Sequence, residues 1–168
     1  LHVAAYRADG VNDEKLLSQD CAVGVGIASM EFSGLLGMHD VGSPAYRLTG
    51  QALSVACGRL AYVYGMQGPC FSVDTACSSS LMAMSMIRAC ILDDACMSAT
   101  CSGIQLLLTG GMTSAFASGG MLSVDGRCKT LDVTADGYVR SESCATLAIS
   151  TSMDGAEVRL LGAMNNQD

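Results

Sequence analysis

The pattern of apolar and polar positions changes period several times along the chain, and each change marks an element. Cys21-Ala22-Val23-Gly24-Val25-Gly26-Ile27-Ala28 alternates apolar with small residues and carries no charge, as a strand buried on both faces does. Ser29 to Leu36 reads as a short helix and Gly37 to Pro44 as a loop. With Thr49 as N-cap, Leu53, Ala56, Cys57, Leu60 and Tyr64 recur at three- and four-residue steps and make one apolar stripe. Gly65 closes that helix from the C′ position. Gly68-Pro69 is a turn, and residues 70–76 form a strand. From Cys77 to about Ile91 the chain is apolar nearly all round after its first turn, which predicts a central helix packed on several sides. Arg88 falls in its last turn, opposite the negative end of the dipole, and Asp93-Asp94 ends it.

Residues 95–101 read as another buried strand, made unusually polar by Ser98 and Thr100, with Ser102 just beyond. Met112 to Ser118 is a short helix, and Gly119 to Asp136 is loop-like. Ala145 to Ser150 and Val158 to Met164 are the last strands, with a turn at Asp154-Gly155. The first 20 residues, with the charged run Asp13-Glu14-Lys15, read as a short helix or surface loop. Strands alternating with helices predict α/β layering. There is no internal repeat and no interdomain linker.

Composition narrows the partners. The 168 residues suffice for one domain with a real core, and half of them are hydrophobic against 15% charged. A net charge of −7 argues against nonspecific nucleic-acid binding, which needs clustered Lys and Arg. Mean hydropathy is positive, at +0.37. The most apolar segment, Leu81 to Ile91, is nevertheless too short to span a membrane and contains Arg88. With no signal peptide in view, an intracellular, cytoplasmic location is expected. Nine cysteines show no C-x-x-C pair. Cys96 and Cys101 have a ligand-like separation, but His2 and His39 lie far from them, so no metal is expected.

Chemistry concentrates at Ser72-Val73-Asp74-Thr75-Ala76-Cys77-Ser78-Ser79-Ser80-Leu81, where a strand turns into a helix with Cys77 at the joint. Most free cysteines are small hydrophobes, and the other eight are read that way, in a reducing compartment. Asp74, Thr75 and three serines, however, are poor core filler and good material for a helix start. Helix N-terminal N–H groups lack intrahelical partners, and the dipole there favours a thiolate. Such a sulfur is a nucleophile, and free N–H groups beside it stabilise the oxyanion formed when it attacks a thioester.

Gly68-Pro69 followed by Val73-Asp74-Thr75-Ala76-Cys77-Ser78-Ser79-Ser80-Leu81 resembles the active-site signature of β-ketoacyl synthase (ketosynthase) domains of type I polyketide synthases and animal-type fatty acid synthases. Upstream, Tyr46-Arg47-Leu48-Thr49-Gly50 and Gly58-Arg59-Leu60-Ala61-Tyr62 resemble the family pattern. So, downstream, do Met121 to Lys129, Ala135-Asp136-Gly137-Tyr138-Val139-Arg140 and Asn166-Gln167-Asp168, in family order. The resemblance implies the N-terminal portion of a thiolase-like layered α/β fold, with the nucleophile helix between two sheets and the strand near Cys70 to Thr75 at a homodimer interface. It also implies the chemistry. Cys77 accepts an acyl chain from the phosphopantetheine arm of an acyl carrier protein, its own N–H supplying half of an oxyanion hole. A malonyl-type extender is then decarboxylated and condenses with the acyl-cysteine. No bound cofactor is implied; the partners are the carrier protein and other synthase domains.

The serines after Cys77 are expected to be helix-start hydrogen-bonding groups, and Asp136-Gly137 a structural turn. Leu131 stands where the family has phenylalanine, and Ser141-Glu142-Ser143 where it has Gly-Glu-Gly. Serine at a position needing φ > 0 costs about 1–2 kcal/mol. The family's two decarboxylation histidines follow in its C-terminal half, and neither His2 nor His39 matches them. The 168 residues are therefore expected to be a partial ketosynthase domain that folds poorly and does not condense by itself. Three alternatives stand beside this: a fatty acid synthase ketosynthase, a degenerate ketosynthase-like docking or dimerisation module, and a cysteine hydrolase, which would need a histidine in reach.

Overall fold

A computed structural model describes residues 20–28, 31–38, 44–151 and 158–166. The readings for the first 19 residues, both histidines and the turn at Asp154-Gly155 lie outside these. Strand β1 (Cys21–Gly26) is followed by helices α1 (Glu31–Met38), α2 (Pro44–Gln51) and α3 (Leu53–Tyr64). Then come β2 (Cys70–Val73), α4 (Ser79–Leu92), β3 (Ser98–Gln105), α5 (Gly110–Ser118) and β4 (Ser143–Ser150). The strands form one four-stranded sheet in the order β2-β1-β3-β4. β1 runs parallel to both neighbours, with Gly26 opposite Val73 on one side and Gly103 on the other. β4 is antiparallel to β3, Ser143 facing Gln105.

The uncharged alternation of β1 is explained by burial on both faces: all six residues are buried. Cys21, Val23 and Val25 point to α3 and pack with Cys57 and Met66, flanked by Leu60, Ala61 and Tyr64. Ala22 points the other way, into a second cluster with Ala83 and Ile87 of α4 and with Cys96, Ala99 and Cys101. One helix thus covers each side of the sheet.

The α4 side is set by absent side chains. A Cβ on Gly26 would lie 2.4 Å from the Ser80 nitrogen, and one on Gly103, its register partner, 2.9 Å from Ser80 Cβ. Paired glycines on adjacent strands therefore make a floor on which the first turn of α4 rests. Gly65 ends α3 in the left-handed region (φ 63°, ψ 26°), as its C′ placement predicts.

Several expectations need correction. Thr49 is no N-cap: it lies inside α2, its hydroxyl donates to the Ala45 carbonyl, and Ala52 precedes α3. The first helix runs to Met38, so Gly37 is not loop, and Pro44 opens α2 as a residue lacking an N–H can. β2 is shorter than residues 70–76 because Asp74 turns the chain, and α4 begins at Ser79, two residues after Cys77. Arg88 sits before the last turn of α4. Among its described contacts that helix is fully buried only along Ser79, Ala83 and Ile87; Asn165 reaches Ser85 on the other side at 3.1 Å, and Leu81 and Leu92 are exposed. Residues 158–164 form no strand. The polar residues of β3 are buried: Ser102 shares a 2.9 Å hydrogen bond with Thr146 of β4, while the Thr100 hydroxyl has no partner.

Candidate active site at the elbow before α4

Between β2 and α4 the chain reverses within five residues, and hydrogen bonds fix each step. The Asp74 carboxylate accepts from the Ala76 N–H at 3.0 Å, an Asx turn. Ala76 then takes φ 56°, a left-handed conformation costing an alanine about 1 kcal/mol or more. Ser78 Oγ donates to the Thr75 carbonyl (2.8 Å) and bonds Thr75 Oγ1 (2.9 Å). Ser79 Oγ donates to the Ala76 carbonyl (2.6 Å) and accepts from the Thr75 N–H (2.9 Å). The serines are hydrogen-bonding groups, as expected, but not caps: Ser78, at the N-cap position, makes no side-chain bond to the helix. They tie the helix start back to the strand exit instead.

Cys77 sits on the outside of this knot. It is exposed, and among the described residues its backbone N–H has no hydrogen-bond partner. Cys101, by comparison, is buried, and burial pushes its thiol up to about 11. Burial raises Cys96 as well. An exposed thiol just after a strained residue, on a strand–turn–helix joint, has the geometry in which reactive side chains are often presented. Because β1, β2 and β3 are parallel, the elbow leaves the sheet at the edge where all three strands end, the usual place for a ligand in such sheets.

A second cluster, not singled out by the sequence pattern, lies at that edge. Glu31, the first residue of α1, has a side chain only 2% exposed and pairs at 2.5 Å with Arg140, itself 8% exposed. Its other oxygen accepts the N–H groups of Leu108 and Thr109, both at 2.9 Å. The Arg140 hydrogen bond, then the Thr109 N–H, hold the Glu31 carboxyl below its ordinary value against the opposing effect of burial. Arg140 also donates to Thr113 Oγ1 at 2.7 Å and lies over the Phe116 ring, 5.3 Å from its centre. Glu142 accepts from the Leu107 N–H at 2.8 Å. The one available signal was a lone acid opening an apolar helix.

The loop between α5 and β4 is internally braced. Lys129 bridges Asp125 (3.1 Å) and Asp136 (3.0 Å), and the Ser123 hydroxyl lies 2.8 Å from each carboxylate, its one proton shared between them. Tyr138 exchanges backbone hydrogen bonds with Met121 and Ser123. Gly137 is required there: at φ 141° a Cβ would stand 2.5 Å from the Leu122 carbonyl carbon. Asp136 and Gly137 thus do structural work, as expected. Leu131 is fully exposed at φ 63°. Neither Ser141 nor Ser143 adopts a positive φ, so the strain anticipated there is absent. No group of three or more metal-ligating side chains occurs among the described residues, and no described helix is long and apolar enough to cross a membrane.

The family profile described as beta-ketoacyl synthase, N-terminal domain, matches residues 3–154. The chain belongs to the β-ketoacyl synthase family. A phenolphthiocerol/phthiocerol polyketide synthase of Mycobacterium tuberculosis is 38% identical over 142 residues, which is 83% of this chain and 6% of that one. A fatty acid synthase of Anser anser anser is 35% identical, over 84% of this chain and 40% of its own. Among solved structures, the ketosynthase from module 6 of the bacillaene synthase of Bacillus subtilis superposes with a TM-score of 0.76 at 31% identity. That match covers 87% of this chain and 24% of the bacillaene domain. The ketosynthase chain therefore spans about a quarter of this solved relative and carries its α/β layering.

Proposed function

We propose that this ketosynthase chain carries the acyl-accepting nucleophile of a β-ketoacyl synthase that works in polyketide biosynthesis, and that Cys77 is that nucleophile. The observation that carries the reading is the elbow itself: an exposed sulfur, strained backbone before it, and an unoccupied N–H on the same residue. The Cys77 thiolate attacks the thioester carbonyl of an acyl chain presented on the phosphopantetheine of an acyl carrier protein. The N–H stabilises the tetrahedral oxyanion, and the pantetheine thiolate departs with the electron pair of the broken C–S bond. The acyl-cysteine then receives the carbanion left when a malonyl-type extender loses CO₂, and the Cys77 thiolate is released. The histidines implied for decarboxylation are not His2 or His39. The chain holds the acyl half of the reaction.

Similarity to several polyketide synthases supports polyketide over fatty acid synthesis. The position of β2 as an edge strand supports homodimerisation through residues 70–75, since an open edge calls for a partner. Ser141 and Ser143 depart from the family pattern and would favour a degenerate docking module if they strained the backbone, but neither has a positive φ. Incubation of the full-length protein with an acyl thioester, followed by peptide mass spectrometry, tests the assignment. One acyl group on Cys77, lost in Cys77→Ala, is expected. A Cys77 left unmodified would favour the docking module, and release of free acid a hydrolase.

A further inference from the structure

The same edge of the sheet carries a device that the reaction scheme does not use. Glu31 follows β1 four residues after Ile27, whose N–H is bonded to the Val73 carbonyl at 3.1 Å, and Gly26 touches the first turn of α4. Its carboxylate holds the exit of β3 through Leu108 and Thr109, and through Arg140 it holds both α5 and the chain entering β4. Four segments at the end of the sheet where the Cys77 elbow also lies thus meet at one buried ion pair. Arg140 also ends the braced loop, whose other end is fixed to α5 by the Met121 N–H on the Phe116 carbonyl. The loop is therefore braced at both ends, and Arg140, with Glu142 on the Leu107 N–H beside it, fastens it to the body of the domain.

We infer that Glu31 and Arg140 are positioning residues of the acylation step: their buried pair holds the 119–142 loop at the sheet edge from which Cys77 projects, and so sets how a thioester of pantetheine size approaches the sulfur. The inference rests on Cys77 being the acyl acceptor. It requires that loosening the pair affect large and small reagents differently. A guanidinium forks between Glu31 and Thr113, which an ammonium cannot reproduce, so Arg140→Lys keeps the buried charge and loses the geometry.

The test compares wild type, Arg140→Lys and Arg140→Met in the full-length protein. For each, the rate of Cys77 acylation by an acyl pantetheine thioester is measured beside its alkylation by iodoacetamide and tryptic cleavage after Arg127 and Lys129. In Arg140→Lys, acylation is expected to fall about 10-fold or more, mainly through a weaker apparent affinity for the thioester. Loop cleavage should accelerate, while iodoacetamide reacts within about twofold of wild type, as a reagent too small to need the loop. Arg140→Met should show the same pattern more strongly; if it does not fold, Arg140→Lys decides alone. The inference is overturned if the lysine variant acylates like wild type, or if both reactions fall by the same factor, which would mark a general structural role. A wild type that takes iodoacetamide at Cys77 but no thioester would instead overturn the acyl-acceptor reading, and the positioning role with it.

Discussion

At the scale of single residues, the elbow shows how far backbone geometry alone decides which way a side chain is presented. Ala76 sits at φ 56° with its N–H on Asp74, and its own conformation turns Cys77 outward. A β-branched residue tolerates that region far less than alanine. Ala76→Val is therefore expected to destabilise the fold by about 1–2 kcal/mol and to slow Cys77 modification; urea denaturation and alkylation kinetics check the two effects separately. Ala76→Gly should stay within about 1 kcal/mol of wild type, relief of strain offsetting the greater freedom of the unfolded chain. If valine is neutral in both measurements, the left-handed turn does not present the sulfur. Cys77 itself was legible because polar, cap-forming residues stand where an apolar run would otherwise continue. Ala76 was not: nothing in an alanine announces a positive φ. The pair of Glu31 and Arg140 was hidden for another reason, since 109 positions separate them and no periodic pattern links residues so distant.

At the scale of elements, the sheet and α4 share a contact made possible by glycine. Gly26 and Gly103 are register partners, and both lie under Ser80. Gly26→Ala would place a methyl against the Ser80 backbone, where no flexible side chain can yield, so α4 must lift. Overpacking of this kind costs about 1–3 kcal/mol, and the lift should carry the elbow with it. The expected outcome is a lower denaturation midpoint together with changed Cys77 alkylation, whereas Gly58→Ala, inside α3 with open space at its Cβ, should raise the midpoint and leave alkylation unchanged. Strands were readable from the sequence where a face is buried, as in β1, and α3 where its stripe meets the core. α4 was over-read. Apolar residues all round predicted burial on several sides, but within the described residues only the face of Ser79, Ala83 and Ile87 is fully buried, the opposite side being met by Asn165 at Ser85. Element ends shifted by a few residues because the serines and Thr49 bond locally to the backbone instead of capping. The same polar residues that flagged the site misplaced the boundary.

At the scale of the whole molecule, one ion pair links chain segments that secondary structure leaves separate, and this makes part of the stability titratable. Glu31 is held below its ordinary value of 4.5 by Arg140 and the Thr109 N–H, so the folded state binds its proton less readily than the unfolded chain does. A depressed carboxyl contributes stability that is complete above the unfolded value and is lost as pH falls through the folded one. Glu31 should therefore contribute fully at pH 7, and its contribution should fade only below about 4.5, where protonation removes the charge that Arg140 needs. Glu31→Ala leaves a buried guanidinium unpaired and two N–H groups without their acceptor, which at pH 7 should cost about 3–5 kcal/mol. Urea titrations of wild type and variant across the acid range provide the measurement. The gap between the two midpoints should be constant from pH 7 to about 5 and then narrow as the medium becomes more acidic. Asp125 and Asp136, also held low by Ser123 and Lys129, are surface groups common to both proteins, so their titration cancels in the difference. A gap that widens in acid, or that is already absent at pH 7, would mean that the carboxylate of Glu31 does not join these segments as a charged group.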